Sequence, residues 1–292
     1  KNLSSEISHM TRVIRGVVPY ISASTLKHAH RAAIVSESRE LAFLFTDIRG
    51  FTTLAEGMSP RQVVQFINSF LDLQSTIILD CGGDIDKFVG DEIMAMFEGP
   101  DKELRACRAA VEIRAAMAKE LERRRAAKEE AVHIGIGINS GPVVFGSVGA
   151  KDRMDVTSIG DTVNLAARLE GVNKQFRTYT MVAAATVERT AGAFAVRELG
   201  RVSVVGREEP VTVYEPLSKE LYESARERLS AFASDLTAFY DGDFPRAEAG
   251  FAAIAARDPA AVRPDFTATI GFLRATRRAR RAKRRGFPND SR

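Results

Sequence analysis

Two aspartates, Asp47 and Asp91, stand beside apolar runs that read as strands. Asp47 lies in ELAFLFTDIRGFT, residues 40–52, and Asp91 in GGDIDKFVGDEIMAMF, residues 82–97. Leu41–Phe45 is five apolar residues bounded by polar ones, the pattern of a buried strand. Residues 85–97 read as two short strands broken at Gly90-Asp91, a hairpin with a turn pair at its tip. If the first strand lies beside that hairpin, two carboxylates meet at one end of a sheet. Oxygen-only ligands there, with glycines that let a phosphate approach, suit a pair of Mg2+ or Mn2+ ions. Either aspartate alone reads as a cap or a turn residue; the pair in this setting points to metal binding. Further along, Asn164 and Arg168 are four apart, so on a helix they share one face. An amide and a guanidinium there could hold a ribose and a triphosphate, although on spacing alone a solvated helix face is the simpler account.

These residues need strands and helices to hold them. The first strand leads through Asp47 and Gly50 to a helix opened by Ser59-Pro60, a cap and first-turn pair. Its apolar face runs from Val63 through Phe66, Phe70 and Leu73 to Ile78, and it is expected to stop at Cys81-Gly82-Gly83. After the hairpin comes a long helix over residues 102–128, with Ala106, Ala109, Ala110, Ile113, Met117 and Leu121 on its buried side. Residues 132–138 and 143–148 read as two strands joined at Asn139-Ser140-Gly141, a hairpin signal. The succession β-α-β-β-α-β predicts an α+β fold with a ferredoxin-like core and extra strands, flanked by N-terminal and C-terminal helices. Residues 154–159 lead into Gly160-Asp161-Thr162, where Asp161 or Thr162 can cap the helix that carries Asn164 and Arg168. The glycines at 135, 137, 141, 146 and 149 have no helix opening on them, so they are not a dinucleotide fingerprint. The chain also lacks a GxxxxGK[ST] phosphate loop.

Four stretches together resemble the class III nucleotidyl cyclases, the family of adenylate and guanylate cyclases. They are FTDIRGFT at 45–52, DKFVGDEIMAMF at 86–97, GIGINSGPVVFGSVG at 135–149 and TSIGDTVNLAARLE at 157–170. They occur in the family's order and spacing, and the resemblance covers residues 40–217. Gly82-Gly83-Asp84 is similar to a diguanylate-cyclase signature, but it precedes the strand instead of forming the hairpin tip, and the DKFVGD context argues against that class.

The resemblance implies an adenylate cyclase that converts ATP to 3′,5′-cyclic AMP and pyrophosphate at a homodimer interface, with two Mg2+ or Mn2+ ions per site. Asp47 and Asp91 match the metal-binding aspartates, and the carbonyl of Ile48 matches the backbone ligand. Arg168 matches the arginine that stabilises the transition-state phosphate, and Asn164 the ribose-orienting asparagine. Lys87 matches the lysine that reads the adenine edge, where guanylate-type members usually carry an acidic residue. Thr157 falls at the second base-reading position, which is Asp in many members and Thr in a subgroup often linked to bicarbonate responsiveness. One departure is Val205, where the family usually carries a phosphate-binding lysine; Arg207 is the candidate substitute, and weak ATP affinity is expected. In the family, Asp47 and Asp91 would come from one chain and Lys87, Thr157, Asn164 and Arg168 from the other. The alternatives are a guanylate cyclase, a catalytically weak cyclase-like module that binds nucleotide and dimerises, and a polymerase-like nucleotidyl transferase, which the TSIGDTVNLAARLE stretch disfavours.

With 292 residues, 45% hydrophobic and 27% charged, the chain has an ordinary globular composition and enough length for a sizeable core. Its net charge of +4 is unevenly placed: RATRRARRAKRR, residues 274–285, holds eight basic residues and no acidic one, so the remainder is net negative. Composition therefore gives no reason to expect a nucleic-acid partner. The basic stretch reads as a solvated helix end or tail, with contact to acidic lipid or a partner as the sharper alternative. Cys81 and Cys107 have no metal or redox spacing and read as reduced core residues of a cytoplasmic protein. The four histidines, His9, His28, His30 and His133, outline no zinc site. No apolar run approaches the ~20 residues of a membrane span.

Three units are expected. Residues 1–39 form a helical signalling linker, with Met10, Val13, Ile14 and Val17 at helical spacing until Pro19. Residues 40–217 form the catalytic domain. Residues 218–292 hold helices and the basic tail, and 236–261 resembles one tetratricopeptide-like helix pair that must pack on the catalytic domain, on the N-terminal helix or on a second chain. The first residue is Lys, so the chain is expected to belong to a longer protein with an upstream sensor, as the cytosolic part of a membrane-anchored receptor. Membrane contact would then come through the preceding region or the basic tail.

Overall fold

A computed structural model of the chain describes residues 3–22, 25–26, 36–150, 153–176, 178–204 and 209–257. At its centre is β1 (Glu37–Ile48). Ala42, Leu44 and Ile48 join a core with Phe70, Ile78, Ala109 and Ile113. Leu41, Phe43 and Phe45 join a second core with Met94, Phe145, Val163 and Ala166. Successive side chains of a strand point to opposite faces, so β1 reads as an unbroken apolar run because both of its faces are covered.

The other strands are β2 (Asp84–Val89), β3 (Glu92–Phe97), β4 (Ile134–Ala150), β5 (Arg153–Ile159), β6 (Thr180–Ala183), β7 (Ala195–Val202) and β8 (Val211–Leu217). They form an eight-stranded sheet in the order β2-β3-β1-β4-β6-β8-β7, with β5 paired to the far end of β4. Among the described residues the helices are α1 (Leu3–Val17), α2 (Phe51–Ala55), α3 (Pro60–Asp80), α4 (Lys102–Ala127), α5 (Asp161–Phe176), α6 (Ala184–Arg189), α7 (Lys219–Tyr240) and α8 (Phe244–Arg257). Helices α3 and α4 cover one face of β1, and α5 covers the other. The expected β-α-β-β-α-β succession is β1-α3-β2-β3-α4-β4, in the spatial order of a ferredoxin-like core.

The helix boundaries follow from local chemistry. Pro60 opens α3, and the Ser59 N–H donates to Gln62 Oε1 at 2.9 Å in a capping box. At its far end Gly82 adopts φ +74°, and the Gly83 N–H returns to Ile78 O at 2.9 Å, which satisfies an orphan carbonyl of the last turn. A 3-10 turn over Val18–Tyr20, carrying Pro19, follows α1.

The hairpin expected at Asn139-Ser140-Gly141 does not exist. Residues 134–150 form a single strand, paired with β1 along its first part and with β5 along its last. Asn139 is buried, and its Nδ2 donates to Thr162 O at 3.0 Å. A residue type that favours turns is held in a strand here by a contact with α5. The glycines of β4 serve that same packing: a Cβ on Gly137 would lie 2.2 Å from Ala166 O and 2.3 Å from Glu170 N, so α5 rests directly on the strand backbone.

Helices α7 and α8 pack on each other around Phe232, Leu236, Phe239, Phe251 and Ile254, with α7 starting at Lys219, well before the pair expected over 236–261. The pair packs on the sheet: the Tyr240 hydroxyl donates to Glu198 Oε1 of β7 at 2.7 Å, and the Arg201 guanidinium lies 4.2 Å from the Tyr240 ring centroid. Cys81 and Cys107 are free and buried, and burial pushes their thiols up to about 11 and about 12. Among the described residues no helix is long and apolar enough to cross a membrane. Most of the second helical piece expected in the linker, and the basic stretch 274–285, lie outside the described residues.

Candidate active site

Asp47 is the penultimate residue of β1 and shares the strand parity of Leu41, Phe43 and Phe45, which puts it on the α5 side of the sheet. Asp91 follows Gly90, whose φ of +64° makes the β2–β3 turn in a conformation that glycine adopts without steric penalty. Thr46 pairs with Ile93 across β1 and β3, so the end of one strand lies beside the start of the other. The Ile48 N–H donates to Asp91 Oδ2 at 3.2 Å. The structure thus gathers Asp47, Ile48 and Asp91 at one end of the sheet, as the sequence pattern implied for the two aspartates.

Burial pushes the Asp47 carboxyl up to about 6, with the Asp91 carboxylate beside it adding to the rise and Lys174 opposing it. Lys174 Nζ stands 3.6 Å from Asp47 Oδ2. Glu92 is also raised, by burial first and then by Asp47 and Asp91. Glu170, buried on α5, is pushed up to about 7 by burial and then by Asp47. It reaches this position because Gly135, opposite Asp47 in register, has no side chain; a Cβ there would lie 2.1 Å from Glu170 Oε1. Several carboxyl groups therefore crowd one part of the fold, and burial, then their like charge, makes Asp47, Glu92 and Glu170 resist ionising. Such a field favours a cation.

A second group forms between β2 and β5. Lys87 Nζ donates to Thr157 Oγ1 at 3.2 Å across 70 residues of sequence. Asp86 Oδ2 lies 3.4 Å from Lys87 Nζ and accepts from the Thr157 hydroxyl at 3.4 Å. Asn164 is exposed and Arg168 half-buried, one turn apart on α5. Thr162 does not cap that helix; its hydroxyl donates to Pro142 O at 2.8 Å and clamps the first turn to β4. Arg207 and Val205 lie outside the described residues.

Sequence reasoning did not single out Asp86, Glu170 or Lys174. Glu170 alone left a trace: it falls on the buried stripe of α5 with Leu165, Ala166, Leu169 and Asn173, where an unpaired acid is out of place.

The family model described as the adenylate and guanylate cyclase catalytic domain matches residues 34–215. The chain belongs to this family. Adenylate cyclase 1 of Rhizobium meliloti is 34% identical over 194 residues, 65% of this chain and 29% of that protein. The adenylate cyclase of Anabaena cylindrica is 35% identical over 187 residues, 62% of this chain and 37% of that protein. This cyclase chain thus spans only about a third of the length of these relatives. The solved adenylyl cyclase CyaB from P. aeruginosa matches with a TM-score of 0.58 at 31% identity, covering 63% of this chain and 97% of that one. Guanylyl cyclase Cya2 matches with a TM-score of 0.54 at 29% identity, covering 62% and 93%. Class III cyclases are generally metal-dependent.

Proposed function

We propose that this cyclase domain converts ATP to 3′,5′-cyclic AMP and pyrophosphate by two-metal catalysis at a homodimer interface. The observation that carries the reading is the meeting of Lys87 and Thr157 at 3.2 Å, in a chain that also joins Asp91 to the end of β1. An ammonium donor suits the ring-nitrogen acceptor of adenine and opposes the N–H that guanine places there. Two curated adenylate cyclases at 34% and 35% identity support the same choice.

The donor set fits hard cations. Asp47 and Asp91 offer only oxygen, Ile48 adds a backbone carbonyl, and the carboxyl of Asp47 is pushed upward by burial and then by its acidic neighbour. These three residues would hold two Mg2+ or Mn2+ ions, whose chemistry when bound is to acidify the 3′-hydroxyl and neutralise phosphate charge. Asn164 orients the ribose so that its 3′-oxygen faces the α-phosphorus in line with the departing pyrophosphate. Arg168 presents a planar, permanently charged fork to the phosphoryl oxygens as charge builds on them. Arg207 takes the place of the phosphate-binding lysine that Val205 does not supply.

A second copy of the chain would cover the apolar residues left open beside the site. Phe88 and Val89 of the hairpin, Val144 and Val148 of β4, and Met154 and Ile159 of β5 are exposed, large apolar side chains of the kind that mark a protein–protein contact. In this dimer Asp47 and Asp91 of one protomer serve with Lys87, Thr157, Asn164 and Arg168 of its partner. Residues 1–39 act as the linker from a sensor, 40–217 as the catalytic domain and 218–292 as a C-terminal helical segment. The two free, buried cysteines agree with a cytoplasmic setting.

The test is cyclic nucleotide formation by the purified chain with Mn2+ and either ATP or GTP, with Asp91→Ala as control. Cyclic AMP from ATP, lost in the variant, is the expected result. Cyclic GMP as the main product would make it a guanylate cyclase, and no product from a chain that dimerises and binds nucleotide would make it a binding module.

A further inference from the structure

We infer that Asp86 sets the nucleotide preference of this cyclase by fixing the direction in which the Thr157 hydroxyl points. The inference rests on the reading of Lys87 and Thr157 as the pair that contacts the base.

The backbone places Asp86 for this. In the β2–β3 ladder Ile85 pairs with Ala95 and Lys87 with Met94, so Asp86 is an extra residue in a bulge. On a regular strand residues 86 and 87 would face opposite sides of the sheet. A bulge re-aims a side chain, and here it brings the Asp86 carboxylate to 3.4 Å from both Lys87 Nζ and Thr157 Oγ1. The Asp86 side chain is 1% exposed, whereas that of Lys87 is 38% exposed. The carboxylate therefore stands behind the pair, and the ammonium stands toward solvent. Asp86 Oδ1 is buried with no donor on it among the described residues. Burial raises the Asp86 carboxyl and the Lys87 ammonium opposes the rise. At 3.4 Å the contact with Thr157 is long for an O–H···O bond, so the orienting force is the buried charge more than an ideal hydrogen bond.

A threonine hydroxyl has one donor and two acceptor sites, so on its own it reads adenine and guanine alike. Here its proton is drawn to Asp86 and one lone pair takes a proton of Lys87. What remains is a single acceptor. Adenine offers a 6-amino donor to such a group, whereas guanine offers a carbonyl acceptor. Thr157 backed by Asp86 thus behaves as a carboxylate would at the same place. Lys87, held by the same carboxylate, keeps a donor for the adenine ring nitrogen.

The test measures two ratios on the purified chain with Mn2+: kcat/KM for ATP over GTP, and affinity for the α,β-methylene analogues of ATP over GTP, which bind without cyclising. In Asp86→Asn the amide can donate to Thr157 Oγ1 and release the hydroxyl to donate elsewhere. Both ratios are expected to fall by about tenfold, the scale of one hydrogen bond of base discrimination. Adding Thr157→Asp to that variant restores them, because the acceptor charge returns by another route. Asp86→Ser repeats the test should the Asn variant fold poorly. Unchanged ratios in a folded variant overturn the inference, even if overall activity drops. If the parent chain binds the adenine analogue better but forms no product, the proposed activity fails while the affinity ratio still decides the role of Asp86. Binding of neither analogue overturns both.

Discussion

Asp91 accepts the backbone N–H of Ile48 at 3.2 Å while its carboxylate presses on that of Asp47. One side chain therefore fastens the hairpin tip to β1 and contributes charge to the site, and the two roles separate by substitution. Asn keeps an oxygen for the Ile48 N–H and removes the like charge beside Asp47. Asp91→Asn is expected to melt at or above the parent temperature in EDTA, yet to lose about a hundredfold or more of its cyclase activity. Asp91→Ala loses the hydrogen bond as well and should be less stable than the Asn variant by about 1 kcal/mol. Thermal melts beside activity assays check both; an Asn variant that melts far below the parent would show that the charge itself supports the fold.

Glu170 gives a pH prediction with a definite sign. Its folded pKa of about 7 exceeds the ordinary value of 4.5, so the folded chain holds this proton more tightly than the unfolded one. Well below the ordinary value both states are protonated and the group is neutral to stability. As pH rises through the window up to the folded value, the unfolded chain ionises more readily and stability is lost; above it the penalty is constant. Glu170→Gln should therefore stabilise the metal-free protein at about pH 8, by on the order of 2 kcal/mol, and hardly at all at about pH 4. Groups away from the site titrate alike in both proteins, so the difference between their melting curves reports Glu170 together with its coupling to Asp47. An equal gain at both pH values would assign the effect to packing.

The two findings also show what a sequence can and cannot convey. β1, α3 and the β2–β3 hairpin are readable because short-range signals agree with the fold: an apolar run, a Ser-Pro start with Gln62 in the capping position, and a Gly90-Asp91 tip. Asn139-Ser140-Gly141 misleads because the partner that overrides its turn preference, Thr162, lies on another element. Asp86, Lys174 and Glu170 acquire their roles only when β2 meets β5 and α5 meets β1. Family resemblance, and not spacing, put Lys87 with Thr157, and the fold brings them within 3.2 Å.

A site divided between protomers, as proposed, makes a prediction that a self-contained subunit would not. On the proposed roles, Asp91→Ala would disable the metal side of the protomer that carries it, and Arg168→Ala the phosphate side. Each homodimer then has two broken sites, but a heterodimer has one broken twice and one intact. In an equal mixture half the dimers are mixed, so activity should return to about a quarter of the parent value. Mass spectrometry of intact dimers establishes exchange. A fully exchanged mixture that stays inactive would count against a site divided between protomers.

Tyr240 decides how the C-terminal helix pair belongs to the molecule. The core of α7 and α8 is their own, built on Phe232, Leu236, Phe239 and Phe251, and the described ties to the sheet run through Tyr240 to Glu198 and Arg201. Burial and the Glu198 carboxylate hold the phenol above its ordinary pKa, so it remains a donor throughout the neutral range. Tyr240→Phe keeps the ring beneath Arg201 and removes the bond to a charged acceptor, a loss of about 1–2 kcal/mol. If the pair is an appended unit, hydrogen exchange should rise across residues 219–254 while β1 and β4 keep their protection and cyclase activity is unchanged. If exchange rises across the whole sheet and activity falls with it, α7 and α8 are instead part of the catalytic unit, and the boundary at residue 217 divides what folds together.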